Sequence, residues 1–228
     1  MRIKTETEDW TLKTLYDTFP EIHLDPSFQV PDVRWSDSQF AAYFANILNG
    51  YGKISKITLA DLERLRGSND NGSEDYEYFD SRIRSGWRWS SVDGNNRTNA
   101  IIKVLRGEVP IPKGEYNMPD GYFFSLKKKT LFTDLNSQDK LKIESLSLEI
   151  SKLVSGSKDS LRTVFVNINQ GSPLNEWEKN NAIDCSVSKN LREGRETYRS
   201  MLETIGSNKE EFFARRKADA ELFRLWFM

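Results

Sequence analysis

Trp87-Arg88-Trp89-Ser90-Ser91-Val92-Asp93-Gly94-Asn95-Asn96-Arg97 leads into Ala100-Ile101-Ile102-Lys103-Val104-Leu105, and the run closes at Gly107. Its first part alternates large apolar with polar side chains, the pattern of a half-buried strand. Its last part carries apolar residues at helical spacing with a glycine where a helix ends. The stretch therefore predicts a strand, a tight polar turn and a helix. A helix start offers backbone N–H groups and the positive end of the helix dipole, and phosphates settle there. Gly94 permits a sharp turn and a close approach of ligand to backbone. Arg97 can offer a planar fork of donors to phosphate oxygens. Asp93 can bind a divalent cation, anchor Arg97 or accept a proton, while Asn95 and Asn96 add side-chain amides. The same residues would also make a plain strand-to-helix turn, with Asp93 capping the helix and Arg97 exposed.

Outward from this stretch, Leu12, Leu15, Tyr16 and Phe19 share a helical face that Pro20 ends. Residues 22–33 hold two prolines and read as extended, irregular chain. Ser36 is placed as the N-cap of an amphipathic helix carrying Phe40, Tyr43, Phe44, Ile47 and Leu48, with Gly50 at its C-terminal end. A short helix is expected from Thr58, with Asp61 completing a capping box and Gly67 as its stop. Residues 68–75 have nothing apolar to bury and read as a loop. Residues 121–126 and 146–153 are expected as strands, and Lys127-Lys128-Lys129 follows the first, either as a contact to a nucleic-acid backbone or as a solvated rim. From Asp159 onward the pattern is helical, beginning with Leu161, Val164, Phe165 and Ile168 on one face. Residues 1–155 thus predict an α+β domain, and 156–228 a helical lobe.

The bulk numbers narrow the chemistry. Lys and Arg number 33 against 34 Asp and Glu, so no global basic field exists and any nucleic-acid contact must be a local patch. No apolar run approaches the roughly 18 residues that span a bilayer, and the polar, acidic start is no signal peptide, so a cytoplasmic, non-membrane protein is expected. The lone Cys185 excludes an internal disulfide and a multi-thiolate metal site. The lone His23 excludes a paired-histidine zinc helix and an HNH nuclease centre. Trp10, Trp35, Trp87, Trp89, Trp177 and Trp226 are expected in the core or at its rim rather than as base-stacking platforms.

Val92-Asp93-Gly94-Asn95-Asn96-Arg97-Thr98-Asn99-Ala100-Ile101 resembles the Asp-Gly-Gln-Gln-Arg signature of the N-terminal domain of GmrSD-type restriction systems, a family of ParB/sulfiredoxin-like fold. Residues 164–174, with Glu178 and Asn181-Ala182, resemble that family's second block. Phe28-Gln29 through Arg34-Trp35-Ser36 resembles its opening segment. The matches run in order over roughly residues 10 to 225. Two departures stand out: Asn-Asn replaces Gln-Gln, and Val30 stands where an arginine follows the glutamine, leaving Arg34 as the nearest guanidinium.

The resemblance implies a ParB/sulfiredoxin-like domain that binds a nucleoside triphosphate with Mg2+ and hydrolyses it, coupled to DNA recognition or restriction. Asp93, Gly94, Asn95, Asn96 and Arg97 would form the nucleotide site, with Asp93 on the metal or the attacking water. Gln29 and Arg34 would join from the opening segment, and Asn169 and Glu178 from the helical lobe. A kinase acting on a hydroxyl of a small molecule or of modified DNA, and a non-catalytic nucleotide or DNA sensor, stay open as alternatives. The apolar stretch Glu221–Met228 is expected to be covered by its own lobe, by a further domain or by a partner chain; in the last two cases the chain is half of a working system.

Overall fold

The computed structural model describes residues 3–24, 35–54 and 56–168. The chain opens on β1 (Lys4–Thr11) and α1 (Leu12–Thr18), whose first turn is capped by the Thr11 hydroxyl accepting from Thr14 N. A 3-10 turn, Phe19–Glu21, leads to the two-residue β2 (Ile22–His23). α2 (Asp37–Leu48) follows, then a 3-10 turn at Tyr51–Ile54 and β3 (Ile57–Asp61). Next come α3 (Leu62–Gly67), α4 (Glu74–Arg84), β4 (Trp89–Asp93) and α5 (Asn95–Leu105). β5 (Gly114–Asn117) and β6 (Phe123–Leu126) pair as an antiparallel hairpin. A 3-10 turn at Phe132–Asp134, α6 (Ser137–Glu144), β7 (Ser147–Ser155) and α7 (Lys158–Ile168) complete the described chain.

The main sheet has the order β1-β7-β3-β4-β2 and is mixed. β7 lies antiparallel to β1 and parallel to β3; β4 lies antiparallel to β3 and parallel to β2. Side chains alternate between the faces of a strand, so parity decides which core each residue enters. Ile57, Leu59, Trp89, Leu148 and Ile150 join one cluster, which holds the buried faces of α1, α2 and α5 and the inner face of the hairpin. Ala60, Val92 and Leu153, of opposite parity, join a second cluster with Leu62, Leu65, Phe79 and Leu161 from α3, α4 and α7. Helices thus cover both faces, and the α+β expectation holds.

Several local expectations are corrected. Residues 57–61 form a strand and not the start of a helix. All five side chains are buried, and the backbone pairs with β7 on one side and β4 on the other. A short strand buried on both faces carries no clear period to separate it from a helix. Asp61, read as the inner residue of a capping box, is itself the N-cap of α3 and accepts from Arg64 N at 3.1 Å. β4, read as half-buried, is buried on both faces, Ser90 and Ser91 included. The loop read at 68–75 ends at Ser73, which caps α4 by accepting from Tyr76 N. β1 escapes a hydropathy reading because only Trp10 is buried; it is an edge strand dressed in charge. Ile22–His23, read as irregular, adds a short edge strand beside β4. α7, where the predicted helical lobe begins, sends Leu161 into the second cluster; the rest of that lobe, from residue 169, lies outside the described residues.

Candidate functional site

Asp93 is the last residue of β4, opposite Thr58 of β3, and Gly94 turns the chain directly into α5. Gly94 is the N-cap, with φ +105° and ψ 17°, a left-handed conformation. A Cβ there would lie 3.1 Å from Ile57 Cγ1 and 3.3 Å from Ile57 Cα. Backbone angle and lack of room both demand glycine. The N-cap of α5 is a glycine and has no side chain to cap with, whereas Thr11, Ser36, Asp61, Ser73 and Asn136 cap α1, α2, α3, α4 and α6. The strand-to-helix turn is therefore built, but without the aspartate cap that a plain turn would use.

Arg97 sits one helical turn after Asp93, so the two side chains share a face. Its Nη2 donates to Asp93 Oδ2, and its Nη1 donates to the Lys56 carbonyl oxygen at 2.6 Å. Their side chains are 22% and 19% exposed respectively, so the pair is mostly withdrawn from water. These contacts fix the plane of the guanidinium beside the helix start. The Lys56 ammonium pairs with Glu149 on the neighbouring strand. Asn95 Nδ2 donates to the Leu24 carbonyl and ties α5 to the chain leaving β2. Asn99 Nδ2 donates to the Asn95 carbonyl at 2.9 Å. One position along from Arg97, Thr98 is fully buried, and its hydroxyl makes no hydrogen bond among the described residues.

The structure thus brings Asp93, Gly94, Asn95, Asn96 and Arg97 together in one turn. The other candidates, Gln29, Arg34, Asn169 and Glu178, lie outside the described residues. Lys56, Ile57 and Leu24 belong to the site and were not predicted. They reach it through sheet pairing, and no local pattern marks them. Among the described residues no group of three or more His, Cys, Asp or Glu side chains is arranged to hold a metal ion. Asp93, the candidate metal ligand, spends one carboxylate oxygen on Arg97.

Compared with protein-family models, with curated proteins and with solved structures, the chain matches none. Among the described residues no helix is long and apolar enough to cross a membrane.

Proposed function

We propose that the turn from β4 into α5 is a nucleotide site of ParB/sulfiredoxin-like type, and that the protein is a cytoplasmic nucleoside-triphosphate-binding and hydrolysing domain coupled to DNA recognition or restriction. The observation that carries the reading is Gly94: a left-handed glycine N-cap, pressed on Ile57, that opens α5 beside an arginine held in place. Phosphate at such a start meets backbone donors and the helix dipole together. Arg97 adds charge, and Asp93 with the Lys56 carbonyl holds its guanidinium ready in one orientation, which reduces the entropy lost on binding. Asp93 acts here as the positioning residue for Arg97. Magnesium enters, on this reading, as the counter-ion that a triphosphate brings with it, held chiefly by phosphate and water. Phosphoryl transfer asks for alignment and charge neutralisation more than covalent help, which suits a site built on a helix start and a held guanidinium.

Titration of the full chain with a panel of nucleoside triphosphates and magnesium tests this. Arg97→Ala leaves the Asp93 carboxylate without its partner, so the paired variant Asp93→Asn with Arg97→Met is measured beside it. Both should lose affinity by about ten- to a hundredfold, the equivalent of one or two charge-assisted contacts of about 1.5–3 kcal/mol. A folded variant that binds as well as the parent overturns the assignment, as does a parent that binds no nucleotide. The engagement of Asp93 with Arg97 favours, as a second reading, a sensor that binds without turnover. Product analysis separates the outcomes: free phosphate supports hydrolysis, a phosphorylated hydroxyl a kinase, and binding without either a sensor.

A further inference from the structure

Cations across the described surface are engaged. Lys53 pairs with Asp9, Arg64 with Glu6 and Lys142 with Asp120, and Lys103 lies over the Phe40 ring. Lys113, Lys127, Lys128 and Lys129 differ. All are exposed, and their side chains make no ion pair, hydrogen bond or ring contact among the described residues. They are also neighbours. Gly114 pairs with Leu126 and Ile111 bridges to Thr130, so Lys113 faces the three-lysine run at the open end of the β5–β6 hairpin. In a chain of net charge −1 this is a local concentration of unneutralised positive charge.

A second observation lies on the same hairpin. Its inner face buries Tyr116 and Phe124, stacked at 5.8 Å. Its outer face carries Phe123 opposite Asn117, and Ser125 opposite Glu115. Phe123 is 56% exposed, an aromatic ring left in water on a strand where alternation has already satisfied the core. Lys127 follows Phe123 by four residues, about 13 Å along an extended strand, a reach of a few nucleotides.

We infer that the outer face of this hairpin binds single-stranded nucleic acid, with Phe123 stacking on a base and Lys113, Lys127, Lys128 and Lys129 meeting the phosphates. Lysines alone would serve any polyanion. The exposed ring selects among polyanions, because only an unpaired base offers a π-face to it. Glu115, opposite Ser125 on the same face, lies between the ring and the lysines. There it also stands ready to accept from an exocyclic base amine, as Asn117 is ready to donate or accept. The inference does not rest on the nucleotide reading. The hairpin leaves from the opposite end of α5, beyond Gly107, and its test needs no nucleotide.

Fluorescence anisotropy of labelled mixed-sequence DNA and RNA single strands, and of the matching duplex, titrated with the full chain in the absence of nucleotide, decides the matter. Single strands should bind more tightly than duplex. Phe123→Ser should weaken single-strand binding by about five- to a hundredfold while leaving duplex binding and the melting temperature unchanged, and Phe123→Trp should preserve it. Reversing Lys127, Lys128 and Lys129 to Glu should weaken both and flatten the salt dependence by about 0.7 per lost contact on single strands. Equal binding of duplex and single strand with Phe123→Ser silent would overturn the inference. So would affinity untouched by charge reversal, or capture by anionic-lipid vesicles with no binding to nucleic acid. Nucleotide binding that survives all these variants leaves the Gly94 site standing by itself, so the two readings fail separately.

Discussion

A single glycine holds β4, α5 and β3 in their relation, because its missing Cβ is the space that Ile57 occupies. Gly94→Ala asks the backbone to keep φ near +105° with a side chain present and pushes a methyl to 3.1 Å from Ile57. Strain of this kind costs about 1–3 kcal/mol, read as a fall in the denaturation midpoint. A midpoint unchanged by the substitution would mean the turn can be rebuilt without that conformation. Thr98 works in the opposite sense. A fully buried hydroxyl with no hydrogen bond among the described residues carries a desolvation cost that nothing there offsets. Thr98→Val keeps the shape and removes that cost, so stability should rise by about 1 kcal/mol. A fall would show that the hydroxyl has a partner beyond the residues described, and because Thr98 adjoins Arg97 such a partner would belong to the site.

At the level of single elements, α2 was the most legible part of the chain. Ser36 accepts from Gln39 N while the Gln39 side chain accepts from Ser36 N at 2.8 Å, a reciprocal box that closes the first turn of α2. Ser36→Ala should cost about 0.5–2 kcal/mol by chemical denaturation, and an unperturbed variant would mean that packing of Phe40 and Phe44 alone holds the helix. α1, α2, α5 and β7 were readable because their periodicity or their caps are local. β3 and β1 were not, for opposite reasons: one is buried on both faces, and the other is polar on nearly all of both. Within the site, the turn itself could be read from Asp93-Gly94-Asn95-Asn96-Arg97, since glycine, amides and a guanidinium are local chemistry. What could not be read is that Arg97 bends back to Asp93 and the Lys56 carbonyl, because Lys56 arrives through strand pairing 41 positions earlier. The aspartate was open to three roles in sequence, and in the structure its partner is the arginine.

Across the described residues, the sheet divides the core into two clusters, and β2, two residues long, lies along its edge on the β4 side. His23 stands there, half-buried, with its ring 5.3 Å from that of Trp87 and with Arg82 of α4 nearby. Burial holds its pKa below the ordinary histidine value, and the positive charge of Arg82 pushes the same way. The folded chain therefore takes up this proton less readily than the unfolded chain. The stability contributed by the neutral ring is fully present above the unfolded pKa, about 6.5, and is lost as pH falls through it toward the lower folded value. Protonation would charge a ring packed on Trp87 at the edge where β2, β4 and the end of α4 meet, so the loss is felt by elements on both sides of the sheet. Because the chain has one histidine, His23→Gln isolates this contribution from the titration of the carboxylates, which parent and variant share. Urea denaturation from pH 8 to pH 5 should show parent stability declining more steeply than that of His23→Gln, with the gap between them narrowing or reversing at the acid end. Parallel curves would mean that the imidazole titrates alike in the folded and unfolded chains, and that the β2 edge plays no part in the acid sensitivity of the fold.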